Sequence, residues 1–76
     1  MTIEDLITEA KKITPHNYHV AHAWLQDMII THEKLPKPVT AIRFFMLGLF
    51  ASDAISFDAW QDFDTLVSTK NLTKIH

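Results

Sequence analysis

Three histidines recur at every third position just after the first Pro of the chain, and they are the residues best suited to metal chemistry. They are His16, His19 and His22. On a helix this spacing spreads the rings over roughly 120°, so neighbours can approach but all three cannot share one ligand point. Imidazole nitrogens bind zinc, copper and nickel, but a tight site needs a third ligand. We therefore expect no metal site. A weaker hypothesis is a metal or pH sensor, in which these three histidines would be the candidate metal ligands.

Signatures of catalysis are missing from the rest of the chain. The absence of cysteine excludes disulfides, cysteine–zinc sites and thiol catalysis. Gly48 is the only glycine, which excludes a glycine-rich phosphate-binding loop. The spacing of the carboxylates indicates no desolvated acid–base pair. The sequence therefore predicts neither enzymatic activity nor a bound cofactor.

The charge pattern argues against direct recognition of nucleic acid. The net charge is −2 at pH 7, whereas electrostatic binding to phosphate needs a basic field. The two C-terminal helices have the outline of a helix-turn-helix, but the second carries three aspartates that would repel phosphate. Five bases are scattered over three segments: Lys11, Lys12, Lys34, Lys37 and Arg43. A nucleic-acid-associated regulator that uses these bases is the second functional hypothesis.

The chain shows no sign of a membrane or export signal. Its N-terminus is acidic and has neither the basic residues nor the apolar run of a signal peptide. The apolar stretch from 39 to 51 is shorter than the roughly 20 residues that span a bilayer. With the absence of cysteine, these features predict a soluble, cytoplasmic protein that does not contact a membrane.

Apolar periodicity predicts an all-α fold formed by a single domain over residues 1–76. Four short helices are expected at about 3–13, 15–34, 38–51 and 56–70, with 72–76 as a frayed tail. The first helix has apolar residues at i, i+3, i+4, i+7 and i+10, which places them on one face. Thr2, Thr14 and Ser56 are expected to cap helices, and Pro15 and Pro38 to open them.

The predicted third helix is apolar on nearly all sides, and we expect it to be the central helix. One broad face comprises Val39, Ile42, Phe45, Met46, Leu49 and Phe50. A second face comprises Phe44, Leu47 and Ala51, so only Thr40 and Arg43 interrupt the apolar surface. Gly48 is expected to allow the close approach of another helix or an aromatic ring. A helix of this kind is normally buried on most sides.

Two interpretations of the second face remain open at this stage. Either helix 1 or helix 4 of the same chain covers it, or it binds another protein or a second copy of the chain. The candidate partner-binding residues are Arg43, Phe44, Leu47 and Ala51. The leading functional hypothesis is a small non-enzymatic protein–protein interaction module, such as a regulator, adaptor or inhibitor, that uses this apolar helical surface.

Overall fold

Four α-helices and one short 3₁₀ helix make up the computed structural model, which describes residues 1–69. The elements are α1 (Ile3–Ile13), α2 (His19–Thr31), the 3₁₀ helix (His32–Lys34), α3 (Pro38–Ala51) and α4 (Phe57–Thr69). Their inner faces enclose one hydrophobic core. The predicted all-α single domain is thus confirmed for the described part of the chain. The predicted tail at 72–76 and the last residue of the predicted fourth helix lie outside it.

Helix α1 has the bounds that the sequence predicts, and its caps explain why. The backbone N–H of Asp5 donates to the Thr2 hydroxyl at 3.1 Å, and the N–H of Thr2 donates to the Asp5 carboxylate at 3.0 Å. This reciprocal capping box satisfies N–H groups that the first turn leaves unpaired. Ile3, Leu6, Ile7 and Ala10 are buried, as the apolar stripe predicts.

The predicted start of the second helix at residue 15 is wrong, because Thr14 ends α1 instead of capping α2. Thr14 is buried, and its hydroxyl donates to the carbonyl oxygen of Ala10 at 2.8 Å. The backbone then turns, and the N–H of Tyr18 donates to the carbonyl oxygen of Pro15 at 3.0 Å. The turn at residues 15–18 separates Thr14 from the next helix, so α2 begins only at His19, and its N-cap residue, Tyr18, makes no side-chain capping bond.

The end of the second helix also differs from the prediction. The α-helical part ends at Thr31, and the chain tightens into the 3₁₀ turn His32–Lys34. The N–H of Leu35 donates to the carbonyl oxygen of His32 at 3.2 Å, which closes this turn. A 3₁₀ turn is a common way to satisfy the last carbonyls of an α-helix before a proline-containing connector.

Helix α3 ends in a Schellman motif that contains an aspartate at the left-handed position. The N–H of Asp53 donates to the Phe50 carbonyl at 3.0 Å, and the N–H of Ala54 donates to the Leu49 carbonyl at 2.8 Å. Asp53 has a φ of 65°, a conformation that glycine usually supplies at this position. The chain reverses within five residues, and Ser56 caps α4 by accepting the N–H of Ala59 at 3.1 Å.

Helices α1 and α3 each contact all the other α-helices, so the predicted central helix α3 shares the centre of the fold with α1. Helix α1 contacts α2, α3 and α4, whereas α3 packs mainly against α1 and α4. Helix α3 contributes one buried face to the core, formed by Val39, Ile42, Met46 and Leu49. Its contact with α2 includes Trp24 and Phe45, whose rings stack with centroids 4.2 Å apart.

Candidate functional site

The second apolar face of α3 is open to solvent. We call this surface the α3 outer face and define it by residues that are all exposed: Arg43, Phe44, Leu47, Gly48 and Ala51. Phe44 is 67% exposed and Leu47 is 37% exposed. The four helices meet on the other side of α3, so nothing in residues 1–69 buries Phe44. Neither helix 1 nor helix 4 therefore covers this face fully: Phe44 is mostly exposed, and Leu47 is partly covered at the groove that α3 forms with α4.

A groove of about 340 Å³ runs beside the α3 outer face, between α3 and α4. Its lining comprises Thr40, Arg43, Phe44, Leu47, Trp60 and Asp64. Arg43, Phe44 and Leu47 belong to both surfaces, so the outer face and the groove are continuous. Trp60, which is only half-buried, brings an indole ring to the α4 side of this region.

Stacked aromatic rings hold the Trp60 wall of the groove in place. The Phe50 and Trp60 rings stack with centroids 5.3 Å apart and planes inclined by 16°. Phe57 tilts against both rings, at 5.7 Å from Phe50 and 6.0 Å from Trp60. Such contacts contribute about 0.5–1.5 kcal/mol per pair beyond the burial of area. These contacts position the Trp60 ring on the α4 side of the groove.

Arg43 is joined to α4. Its Nε and Nη2 atoms donate to the same carboxylate oxygen of Asp64, at 3.1 Å and 2.8 Å. Both side chains retain access to solvent at the rim of the groove. This predicted partner-binding residue therefore provides a polar edge whose charge the chain itself neutralises.

Gly48 does not permit the intramolecular close approach that the sequence suggested. A Cβ atom added at Gly48 would meet nothing within 4 Å. Glycine within a helix costs about 1 kcal/mol relative to alanine. No other part of the described chain packs against Gly48, so the missing side chain only leaves an open, flat place on the surface.

The candidate metal ligands are not assembled into one site. The rings of His16 and His22 stack with centroids 6.1 Å apart, and His22 Nε2 lies 3.1 Å from the carbonyl oxygen of Thr14. A carbonyl only accepts, so this ring nitrogen donates and fixes the turn between α1 and α2. Residues 1–69 contain no group of three or more potential ligand side chains that could hold a metal ion.

Most of the scattered bases are paired with polar or acidic groups of the fold. Lys11 Nζ donates to Gln26 Oε1 at 2.6 Å, and Lys12 Nζ pairs with a Glu9 carboxylate oxygen at 2.8 Å. With Arg43 paired to Asp64, three of the five bases have partners within the fold. These contacts lie at three separate places: the α1–α2 contact, the surface of α1 and the α3–α4 groove.

A second exposed apolar surface lies on α2. Val20 is 84% exposed and Ile30 is 73% exposed. The helical spacing of the sequence places Ile30 on the polar side of its helix, and its exposure fits that position. Ten residues separate the two side chains, which is about 15 Å along a helix, and the exposed Asp27 lies between them.

Within residues 1–69, no helix combines the length and the apolar character that crossing a bilayer requires.

Comparison of the chain with protein-family models, with curated proteins and with solved structures found no match. A functional assignment therefore depends on the surface geometry described above.

Proposed function

We propose that this chain is a small non-enzymatic protein–protein interaction module that binds its partner through the α3 outer face. The exposure of Phe44 carries the proposal, because a large aromatic ring sits on a rigid helix with two thirds of its surface in water. Full burial of such a side chain stabilises a complex by about 1.5–3 kcal/mol. Contiguous apolar patches with polar rims are typical of binding sites.

The layout of the surface supports this proposal. Phe44, Leu47, Gly48 and Ala51 form an apolar centre, and the Arg43–Asp64 pair lies at its edge. Protein interfaces commonly have an apolar core depleted in charge and a polar rim, with aromatic side chains and Arg enriched. The groove beside Phe44 offers a recess into which a partner side chain could insert.

The exposed residues of α2 are a less suitable site. Val20 and Ile30 are individually more exposed than Phe44, but about 15 Å of helix separates them. Asp27 lies on the surface between them and would have to lose its hydration in an apolar contact. The α2 surface therefore provides the matched control for experiments on α3.

The other functional hypotheses stay predictions. No observation on the described residues favours a nucleic-acid-associated regulator or a histidine-dependent sensor over the interaction module. The cytoplasmic location, and the choice among regulator, adaptor and inhibitor, likewise stay predictions.

The test compares two charge substitutions in capture experiments from a lysate of the native host that also contains a differently tagged copy of the chain. Phe44→Glu places a carboxylate at the centre of the α3 outer face, and Val20→Glu places one on α2. Far-UV circular dichroism should show that both variants fold, since both side chains are largely exposed. We expect Phe44→Glu to lose the captured protein and Val20→Glu to retain it. Equal capture by both variants would contradict the proposal.

A further inference from the structure

We infer that the partner of the α3 outer face is a second copy of the chain, packed antiparallel about a two-fold axis near Leu47 and Gly48. This inference rests on the proposed function and specifies its partner. A two-fold interface must be complementary to itself, because residue i of one copy contacts residue j of the other and the reverse. The arrangement of large and small residues on α3 meets that requirement.

The complementarity follows from the positions along α3. An antiparallel axis midway between positions 47 and 48 brings Phe44 of one copy level with Ala51 of the other. The exposed Phe44 ring therefore meets a small side chain, twice in each dimer. Near the axis, Leu47 lies level with Gly48, which has no side chain and leaves open space around its backbone. Small residues at such a crossing let two helix backbones approach closely.

The spacing of the same residues fits packing between two helices. Thr40, Phe44, Leu47 and Ala51 follow one another at intervals of four, three and four residues. This is the spacing of the contact positions along a left-handed helix pair. On a helix the four residues form a narrow stripe along the outer face. Phe44, Leu47 and Ala51 lie within residues 44–51, the part of α3 that overlaps the α3 of the second copy in this register.

Charge also favours a second copy. Arg43 and Asp64 neutralise each other within each chain, so two outer faces meet without the repulsion of unpaired like charges. In the antiparallel register, Arg43 lies level with Ser52 of the other copy, at the C-terminal end of its α3. That end carries the negative pole of the helix dipole, and the exposed Asp53 follows it. The Arg43 end of each Arg43–Asp64 ion pair therefore lies near a negative pole of the second copy.

The size of the surface predicts how strong the association should be. Helix α3 has 14 residues, which corresponds to a length of about 21 Å. In the antiparallel register the two α3 helices overlap only over residues 44–51, about 12 Å. This overlap and the adjoining groove offer less than the roughly 1,000 Å² of total buried area that stable specific interfaces exceed. The dimer should therefore be weak and should dissociate at low micromolar concentration.

Disulfide trapping tests this register, because the chain has no cysteine of its own. Leu47→Cys places a thiol beside the axis, and Val20→Cys places one on the exposed surface of α2. Both variants are oxidised mildly at about 100 μM chain, a concentration at which random collision gives slow crosslinking. We expect Leu47→Cys to form the disulfide dimer at least about tenfold faster than Val20→Cys. Crosslinking no faster than that of Val20→Cys would overturn the inference.

Ala51→Cys distinguishes the antiparallel register from others. In that register the two thiols introduced at position 51 lie about 10 Å apart along the helices, beyond the roughly 7 Å Cα separation that a disulfide tolerates. Ala51→Cys alone should crosslink slowly, and its mixture with Phe44→Cys should crosslink fast. Fast self-crosslinking of Ala51→Cys would overturn the antiparallel arrangement. Circular dichroism would verify that each variant folds, and Gly48→Cys would replace Leu47→Cys if the latter failed.

Sedimentation of the native chain completes the test. We expect the mean mass to rise above that of the monomer between about 10 μM and 1 mM, the range of a weak association. A strict monomer at about 1 mM would overturn the inference. The proposed function would still stand if Phe44→Glu failed to capture a host protein, other than the chain itself, that Val20→Glu captures. The proposed function would fail as well if both variants captured the same proteins as the native chain.

Discussion

Arg43 on α3 and Asp64 on α4 meet at one carboxylate oxygen, which accepts from Nε at 3.1 Å and from Nη2 at 2.8 Å. Twenty-one residues separate them in the chain, and their contact lies at the rim of the groove that Phe44 and Leu47 line. The pair therefore links the helix that carries the proposed binding face to the helix that forms the opposite wall.

A double-mutant cycle should show that this pair contributes modestly to stability. Both side chains are partly exposed, so we expect a coupling of about 1 kcal/mol or less between Arg43→Met and Asp64→Asn, and a decrease with added salt. Urea denaturation of the wild type, the two single variants and the double variant measures the coupling. The Glu9–Lys12 pair, within one helix, is the control and should couple less. A coupling well above about 1 kcal/mol would contradict this account of an exposed pair.

Replacement of Gly48 by alanine should stabilise the isolated chain and weaken its association. A Cβ atom at this position meets nothing within 4 Å, so the helix gains up to about 1 kcal/mol in propensity at no steric cost. For a domain of this size, about 1 kcal/mol corresponds to a rise of about 4–8 °C in the melting temperature. Thermal unfolding measures the change in dilute solution. A loss of stability would show that the position does not have the open surroundings described here.

Replacement of Asp53 by glycine should also stabilise the chain. Asp53 holds a φ of 65° in the Schellman motif, a region in which side chains with a Cβ atom are strained by about 1–2 kcal/mol and aspartate somewhat less. Glycine relieves this strain, but its greater freedom in the unfolded chain reduces the gain. Asp53→Val is the opposite control, because a β-branched residue should destabilise the same turn. Chemical denaturation that ranked valine at or above glycine would contradict the assignment of the turn.

The capping box should make stability depend on acid pH. The backbone N–H of Thr2, followed by the Thr2 side chain, holds the pKa of the Asp5 carboxyl below its ordinary value of 3.8. Because the pKa is lowered in the folded state, this stabilisation is complete above the ordinary value and is lost as the pH falls through the folded value. Asp5→Asn should flatten the decline of the melting temperature below about pH 4. Glu4→Gln, one residue away, serves as the control, and an equal flattening in both variants would contradict the assignment to Asp5.

The bounds of α1 and α3 could be predicted because local signals agree with the final packing. Thr2 and the apolar stripe define α1, and Pro38 opens α3 where the missing N–H costs nothing. The start of α2 could not be predicted in the same way. Thr14 and Pro15 also have the composition of a helix start, but the chain forms a turn from Pro15 to Tyr18 before α2 begins, and composition alone does not distinguish this turn from a first helical turn.

The sequence indicates which residues form the second apolar face of α3, but it does not indicate whether that face is exposed. Arg43, Phe44, Leu47 and Ala51 were singled out because α3 is apolar on both sides, and such a helix has no pattern that indicates which side is buried. The groove was missed because Trp60 and Asp64 come from α4, and only the packing angle between the helices places them beside Phe44. The contact of Phe50 with Trp60 depends on the same angle, whereas Phe57 and Trp60 are neighbours at i and i+3 on α4.

The most direct test of the central claim is a residue-by-residue map of the binding surface from backbone amide NMR. Spectra of the isotope-labelled chain would be recorded while its own concentration rises, and again while any captured host protein is added. We predict that the amide shifts change mainly at Phe44, Leu47, Gly48 and Ala51, with little change at Val20 and Ile30. Changes concentrated on the α2 residues, or no change in either titration, would contradict the proposal that the α3 outer face is the binding surface.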